Sequence, residues 1–187
     1  LGRNIKRVFK KFLSKLFMKQ KNVNKFFPIP TQTSLTDKIV LLKVMNLMGK
    51  KKKNYKYLEI GSFLGGSLAP FLIDKNCKKI LSIDKRNQVL NDERNEQWSY
   101  KNITQNKMLQ TLKNYNFNLN KIKALDGDIS EFKIKENFDL TFIDGIHTDK
   151  NVFSDFLYAL DLMNKNSIIL FHDSNVIFKS ISLISIF

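Results

Sequence analysis

Five segments of the chain carry acids, imidazoles or hydroxyls directly after an apolar run. They are Glu59-Ile60-Gly61-Ser62, Asp84, Asp126-Gly127-Asp128, Asp144-Gly145-Ile146-His147 and His172-Asp173-Ser174-Asn175. Carboxylates in such places can hold ribose hydroxyls or a divalent cation, and an imidazole that titrates near neutral pH can move a proton. Gly61, Gly65 and Gly66 add a turn whose bare backbone lets a ligand approach closely. One acid after a strand commonly caps a helix or closes a turn. Five in succession describe one edge of a sheet, and open parallel sheets bind ligands beyond the carboxyl ends of their strands.

The first two segments have nucleotide-type spacing. The apolar run Tyr55–Ile60 leads into the glycine turn, and Lys79–Ile83 ends on Asp84 about one βαβ repeat later. An acid there can accept two ribose hydroxyls. The order Glu-x-Gly-x-x-x-Gly-Gly differs from the dinucleotide fingerprint Gly-x-Gly-x-x-Gly, so a dinucleotide is not the expected ligand.

The elements that must place these residues alternate along the chain. Ser34 and Asp37 form a capping box that opens a helix through about Met48, ended by Gly49 and the lysines at 50–53. Strand Tyr55–Ile60, helix 66–75 and strand Lys79–Ile83 follow, and much of 87–114 reads as helical. Strands Ile122–Leu125 and Phe138–Ile143, helix 149–163 and strand Ser167–Phe171 complete the pattern. Such alternation predicts an α/β fold, a doubly wound parallel sheet with helices on both faces. Trp98-Ser99-Tyr100, in the long connection after Asp84, either lines an acceptor pocket or forms a buried aromatic cluster.

At 187 residues and 43% hydrophobic the chain has the size and composition of one globular domain. No apolar run reaches the roughly 20 residues of a membrane-spanning helix. The single cysteine, Cys77, excludes an internal disulfide and a multi-cysteine zinc site, and suits a reducing cytosol. A net charge of +15 is weak evidence for a polyanionic partner in a sequence rich in Lys, Asn, Ile and Phe. The placement of that charge says more, because nine Lys and Arg and no acid precede Phe26. Ile5, Val8, Phe9, Phe12, Leu13, Leu16 and Phe17 form one helical stripe flanked by Lys6, Arg7, Lys10, Lys11 and Lys15. The stripe suits docking on the domain or on a second subunit, contact of residues 3–19 with an anionic membrane surface, or a cover over RNA. Phe27-Pro28-Ile29-Pro30 ends it, so residues 1–30 read as a basic amphipathic extension and 31–187 as the domain. The expected location is cytoplasmic, with membrane-peripheral contact through the extension.

Leu58-Glu-Ile-Gly-Ser-Phe-Leu-Gly-Gly-Ser67 resembles motif I of class I S-adenosylmethionine-dependent methyltransferases, in the variant of catechol and bacterial sugar O-methyltransferases. Phe138-Asp-Leu-Thr-Phe-Ile-Asp-Gly-Ile-His147 and Ile168-Ile-Leu-Phe-His-Asp173 are similar to the late motifs of the methyltransferase 24 type. The resemblance covers about residues 34–178. It implies a Rossmann-like sheet, S-adenosylmethionine as cofactor and a cation such as Mg²⁺. Seven strands are usual in that fold and five are legible here. The start on Leu1 and the stop at Phe187 inside an apolar stretch therefore suggest a fragment lacking the last strands.

By this resemblance Glu59, Gly61, Ser62 and Gly65 belong to the loop on the methionine side of the cofactor, and Ser67 helps hold its carboxylate. Asp84 takes the ribose hydroxyls, and Asp128 and Ile129 flank the adenine, although Asp128 also reads as a turn residue. Asp144 and Asp173 are the implied metal ligands, and His147 the general base. Ser174 departs from the family, which often has Asp or Asn there, so either Asn175 substitutes, water fills the place, or metal binding is weak. Lys165-Asn166-Ser167 replaces the family's Pro-Gly-Gly, which alters a turn and not the chemistry. His172 is expected to point to the opposite face of the sheet in a structural role.

The function implied is metal-assisted O-methylation of a sugar, polysaccharide or small-metabolite hydroxyl. Two other readings stand beside it: ribose methylation of RNA, and a truncated non-catalytic module that binds through its basic helix. Enzymes that methylate exocyclic base nitrogens carry Asn/Asp-Pro-Pro-Tyr/Phe where this chain has Asp144-Gly-Ile-His147, which argues against that chemistry though not against ribose methylation; nucleic acid is not the expected partner.

Overall fold

The computed structural model describes residues 22–86 and 88–186, so the stripe expected over residues 3–19 lies outside the described residues. Ser34 caps helix α1 (Leu35–Lys51): its hydroxyl accepts from the Asp37 N–H while the Asp37 side chain accepts from the Ser34 N–H. Both bonds satisfy amides that a helix start leaves free. The helix runs one turn past Met48 and closes where the Lys52 N–H meets the Met48 carbonyl.

Strand β1 (Tyr55–Ile60) is buried along almost its whole length, as a central parallel strand covered on both faces must be. After it come α2 (Ala69–Ile73), β2 (Cys77–Asp84), β3 (Val89–Asn91), β4 (Gln97–Ser99), α3 (Gln105–Asn114), β5 (Ile122–Asp126), β6 (Phe138–Ile143), α4 (Asp149–Asp161), β7 (Met163–Phe171) and α5 (Phe178–Ile184). The main sheet has the order β5-β2-β1-β6-β7, with every neighbouring pair parallel. The chain starts in the middle, moves outward through β2 to β5, then returns to the other side of β1. Between β1 and β6 the winding reverses, and crevices open at such a switch point.

Alternation along the strands divides the interior. Tyr55 and Tyr57 of β1, with Leu140 and Phe142 of β6, meet Leu41, Met45 and Met48 of α1, Phe71 of α2 and Met108 and Leu112 of α3. Val23, Phe27 and Ile29 join that cluster. Leu58, Ile60, Leu81, Ile83 and Ile143 meet Val152, Phe156 and Ala159 of α4 on the other face. Helices on both faces are the doubly wound arrangement expected from the sequence.

One expectation is corrected. Residues 88–100 do not form a helix: β3 and β4 pair as an antiparallel hairpin, with Leu90 opposite Trp98. The Asp92 carboxylate accepts the Arg94 and Glu96 N–H groups and closes the turn, while Asn95 takes a positive φ of 62°. An acid that hydrogen-bonds its own following backbone competes with helix formation. Only Gln105–Asn114 is helical, capped by Thr104.

A buried acid ties the amino ends of the strands together. Asp139 is 3% exposed and accepts from Lys52 Nζ at 2.6 Å, the Lys56 N–H at 2.9 Å and Asn164 Nδ2 at 2.7 Å. Burial works against its charge, but these donors hold the carboxyl below its ordinary value. Asp139→Ala strands the Lys56 amide and the Asn164 amide, and should cost about 2–3 kcal/mol in urea unfolding. A loss below about 0.5 kcal/mol would refute this role.

Candidate active site

The carboxyl ends of β2, β1 and β6 are held together by backbone bonds that continue past the strands. The Gly61 N–H donates to Ile83 O at 2.8 Å, and the Asp144 N–H to Ile60 O at 2.8 Å. Gly61 sits at φ 84°, and a Cβ there would lie 2.0 Å from the Asp144 carbonyl oxygen. Only glycine allows the end of β6 to approach so closely. Gly66 serves a second approach, because a Cβ there would lie 2.9 Å from Pro30 O and 3.0 Å from Ile29 O.

Two cavities adjoin at this edge. The first is lined by Gly61, Ser62, Ser67, Asp84, Asp128 and Ile129, with Asp144 and His147 at the junction. Most of the residues expected to hold a cofactor therefore share one cleft. Asp84 Oδ2 accepts the Ser62 and Phe63 N–H groups at 2.9 and 2.7 Å, fixing the glycine loop and leaving Oδ1 for a ligand. Burial raises its pKa, opposed by Arg86 and those two amides. Asp128 caps the short 3₁₀ turn Ile129–Glu131, its Oδ1 accepting from Ser130 N and Oγ.

Two expected members of the loop stand back from the cleft wall. Gly65 is buried, at φ 84°, with the Leu112 side chain beside it. Glu59 is fully buried beneath the loop and accepts from Tyr57 Oη and Ser67 Oγ, each at 2.5 Å. Burial pushes its carboxyl up to about 8, beyond what the two hydroxyls offset.

The second cavity, about 500 Å³, lies between the β3–β4 hairpin, Asp37 and the end of β7, and shares His147 and His172 with the first. At the junction His147 Nε2 is 3.2 Å from Asp144 Oδ1, and its Nδ1 is 3.3 Å from Asp173 Oδ2. His172 does not point to the opposite face of the sheet. The His172 N–H pairs with Ile143 O, one step past β7, so its ring lies on the same side as Asp144. The chain then turns at Asp173, at φ 46°, which brings this acid to the site as well. His172 is 7% exposed, its Nδ1 2.9 Å from Asp144 Oδ1 but off the line of a hydrogen bond. Burial opposes its charge, yet Asp144, Asp173 and Asp37 raise its pKa to about 9.

Donor atoms of Asp144, His147 and His172 all lie within 4.8 Å of one another, and among the described residues both ring nitrogens of buried His172 lack a hydrogen-bond partner. That set fits a divalent ion. Its two imidazoles favour a transition ion over the oxygen-preferring Mg²⁺ expected from the sequence. Asp173 stands against both imidazoles, and Asn175 is exposed on the wall of the second cavity.

Residues 58–174 match the family model for a methyltransferase domain, the methyltransferase 24 type. The chain belongs to this family. Uncharacterized protein R132 of Acanthamoeba polyphaga mimivirus is 28% identical over 123 residues, 66% of this chain and 53% of that protein, so the chain spans about half the length of this curated relative. The O-methyltransferase TomG of Streptomyces achromogenes, solved with S-adenosylmethionine, superposes with a TM-score of 0.55 at 12% identity, covering 91% of this chain and 77% of that one. A Thiobacillus denitrificans methyltransferase solved with S-adenosylhomocysteine gives 0.52 at 12% identity, over 80% of this chain and 52% of that one. At such identities these likenesses establish the fold: a Rossmann-like class I methyltransferase sheet.

Sequence reasoning missed Arg86, whose side chain is 2% exposed under the cleft. It bonds Asp126 Oδ1 at 2.6 Å, Leu125 O at 3.1 Å and Ser62 Oγ at 3.1 Å, tying β5 to the methyltransferase loop. An arginine two residues after a strand-end acid carries no local sign of such burial.

Glu59 generates a pH prediction. Between its ordinary 4.5 and about 8 the folded chain keeps a proton that the unfolded chain has released. Stability therefore falls as pH rises through that window. In denaturant titrations across it, Glu59→Gln should flatten the slope by up to about 1.4 kcal/mol per pH unit. Identical slopes in the two proteins would show that Glu59 ionises as it does in water.

Proposed function

We propose that this domain transfers the methyl group of S-adenosylmethionine to a hydroxyl oxygen of a sugar, a polysaccharide end or a similar polyhydroxylated metabolite. The observation that carries the reading is the set Asp144, His147, His172 and Asp173 at the junction of a nucleoside-type cleft and a second cavity. Membership of the methyltransferase family supports methyl transfer. The second cavity supports a polyol acceptor, because the aromatic Trp98 and Tyr100 line it together with the polar Asn91, Gln32, Ser34, Glu96 and Asn175.

When bound, S-adenosylmethionine supplies a methyl group on a positively charged sulfur. Asp84 Oδ1 accepts from the ribose hydroxyls, while Oδ2 keeps the loop in place. Ser67 gives its hydroxyl hydrogen to Glu59, so the loop and the buried acid form one unit. The cleft as it stands, about 90 Å³, is narrower than the roughly 300–1,000 Å³ of small-molecule sites. Leu90 and Tyr100 on its outer wall must therefore yield on binding. The hairpin they flank meets the body through the Glu93 N–H to His147 O at 2.9 Å and Tyr100 Oη to Gln32 at 3.2 Å.

His147 takes the proton of the acceptor hydroxyl. Once protonated, both ring nitrogens carry hydrogens and each meets a carboxylate, Asp144 on one side and Asp173 on the other. The pair holds the ring in place for that transfer. Positioning of the two reactants supplies the rest.

A second reading is favoured by the unpartnered nitrogens of His172. Asp144, His147 and His172 would hold a divalent ion, which acidifies the acceptor hydroxyl when bound.

The test is methyl transfer from radiolabelled S-adenosylmethionine to a panel of sugar hydroxyls, with and without a chelator. His147→Ala should lower turnover by about 10²–10⁴-fold and leave S-adenosylhomocysteine affinity within about threefold. Full turnover in this variant would remove the base role. Loss of turnover on chelation, restored by Mn²⁺ or Zn²⁺, would establish the second reading, and unchanged turnover would remove it.

A further inference from the structure

Asp155 is the anomaly that the catalytic account leaves over. It lies on α4, is 8% exposed, and lines the nucleoside-type cleft together with Asn151, one turn earlier on the same helix. Among the described residues it has no hydrogen bond and no ion pair; its one electrostatic neighbour is the like-charged Asp128. Burial pushes its carboxyl up to about 7, with Asp128 adding to the effect. A buried carboxyl without a partner costs stability, and natural structures rarely keep one without a use.

Its position limits that use. A Cβ added to Gly145 would lie 3.1 Å from Asp155 Oδ2, so the carboxyl sits just beyond the end of β6. Asp128 and Ile129 line the same cleft. Asp128 is the acid that its motif position would assign to the base, but its Oδ1 is committed to Ser130 in the cap of the 3₁₀ turn. Asp128 keeps Oδ2 unbonded, and Asp155 is the acid on this wall with neither oxygen bonded among the described residues. Asp84, at the end of β2, marks where the ribose belongs.

We propose that Asp155 selects the cofactor's base, its carboxyl accepting a hydrogen bond from the exocyclic 6-amino group of adenine. This inference rests on the cofactor reading above. The group that can fill the vacant acceptor is a neutral N–H donor on a flat heterocycle wedged between Ile129 and the start of α4. A carboxyl that holds its proton near neutral pH can also donate to the adjacent ring nitrogen, so both atoms of that edge find a partner.

The experiment is a calorimetric cycle on the full chain with two ligands: S-adenosylhomocysteine, and its analogue with hydrogen in place of the 6-amino group. The wild type should bind the analogue about tenfold more weakly. Asp155→Ala should bind S-adenosylhomocysteine about tenfold more weakly and no longer distinguish the two. Asp155→Asn, which keeps an acceptor and a donor in place, should restore most of the difference. Equal wild-type affinity for the two ligands, or undiminished discrimination in Asp155→Ala, would overturn the role of Asp155 while leaving the cofactor reading intact. A folded wild type that binds neither ligand would overturn the cofactor reading itself, and this inference with it. The wild-type comparison needs no variant, so the proposal stays falsifiable whatever the substitutions do to folding.

Discussion

The site depends on a backbone ladder that continues one residue past the strands. Gly61 donates to the last residues of β2, Asp144 to those of β1, His172 to those of β6, and Gly127 to Asp84 O, at 2.8–3.0 Å. Each bond adds a neighbour to the sheet edge and fixes the residue that follows. Gly61 and Asp144 meet backbone to backbone, a contact that any side chain at Gly61 would occupy. The positions of Asp84, Asp144, His147 and His172 are thus consequences of strand register, which a buried parallel sheet defines tightly.

The electrostatics of the edge run against the charge of the whole. A chain of net charge +15 gathers Glu59, Asp84, Asp144, Asp155 and Asp173 around its clefts. Burial raises Glu59 and Asp155, while three surrounding carboxylates raise His172 against its burial. Shifted groups of this kind, concentrated in a crevice at a topological switch, are what a proton-moving site requires. Lys85 is the lysine on the cleft wall among the described residues, whereas Lys52 and Lys56 serve Asp139 at the other end of the sheet, and Lys56 and Lys79 pair with Glu136.

The strands, their parallel order and the acids that follow them were legible because period and position within a strand are local properties. Asp144 and His147 sit three residues apart in one loop, so their meeting could be read directly. His172 could not be placed, since its face depends on where β7 stops, and the ladder carries it one residue past Phe171. A parity count from Ile143 and Phe171, both facing α4, would have put Asp144 and His172 on the same side. The β3–β4 hairpin escaped because side-chain bonds from Asp92 close a turn in a stretch whose apolar residues are too sparse to fix a period. Arg86 and Asp155 look like ordinary charged residues in sequence, and only packing reveals their burial.

The most direct measurement is calorimetric titration of the full chain with S-adenosylhomocysteine, repeated with Asp84→Ala. The account predicts one site of micromolar affinity in the wild type and a loss of at least about tenfold in the variant, whose ribose acceptor and loop anchor are both gone. A folded wild type that takes up no S-adenosylhomocysteine, or a variant that binds it undiminished, would contradict the assignment of this sheet edge as a methyl-donor site.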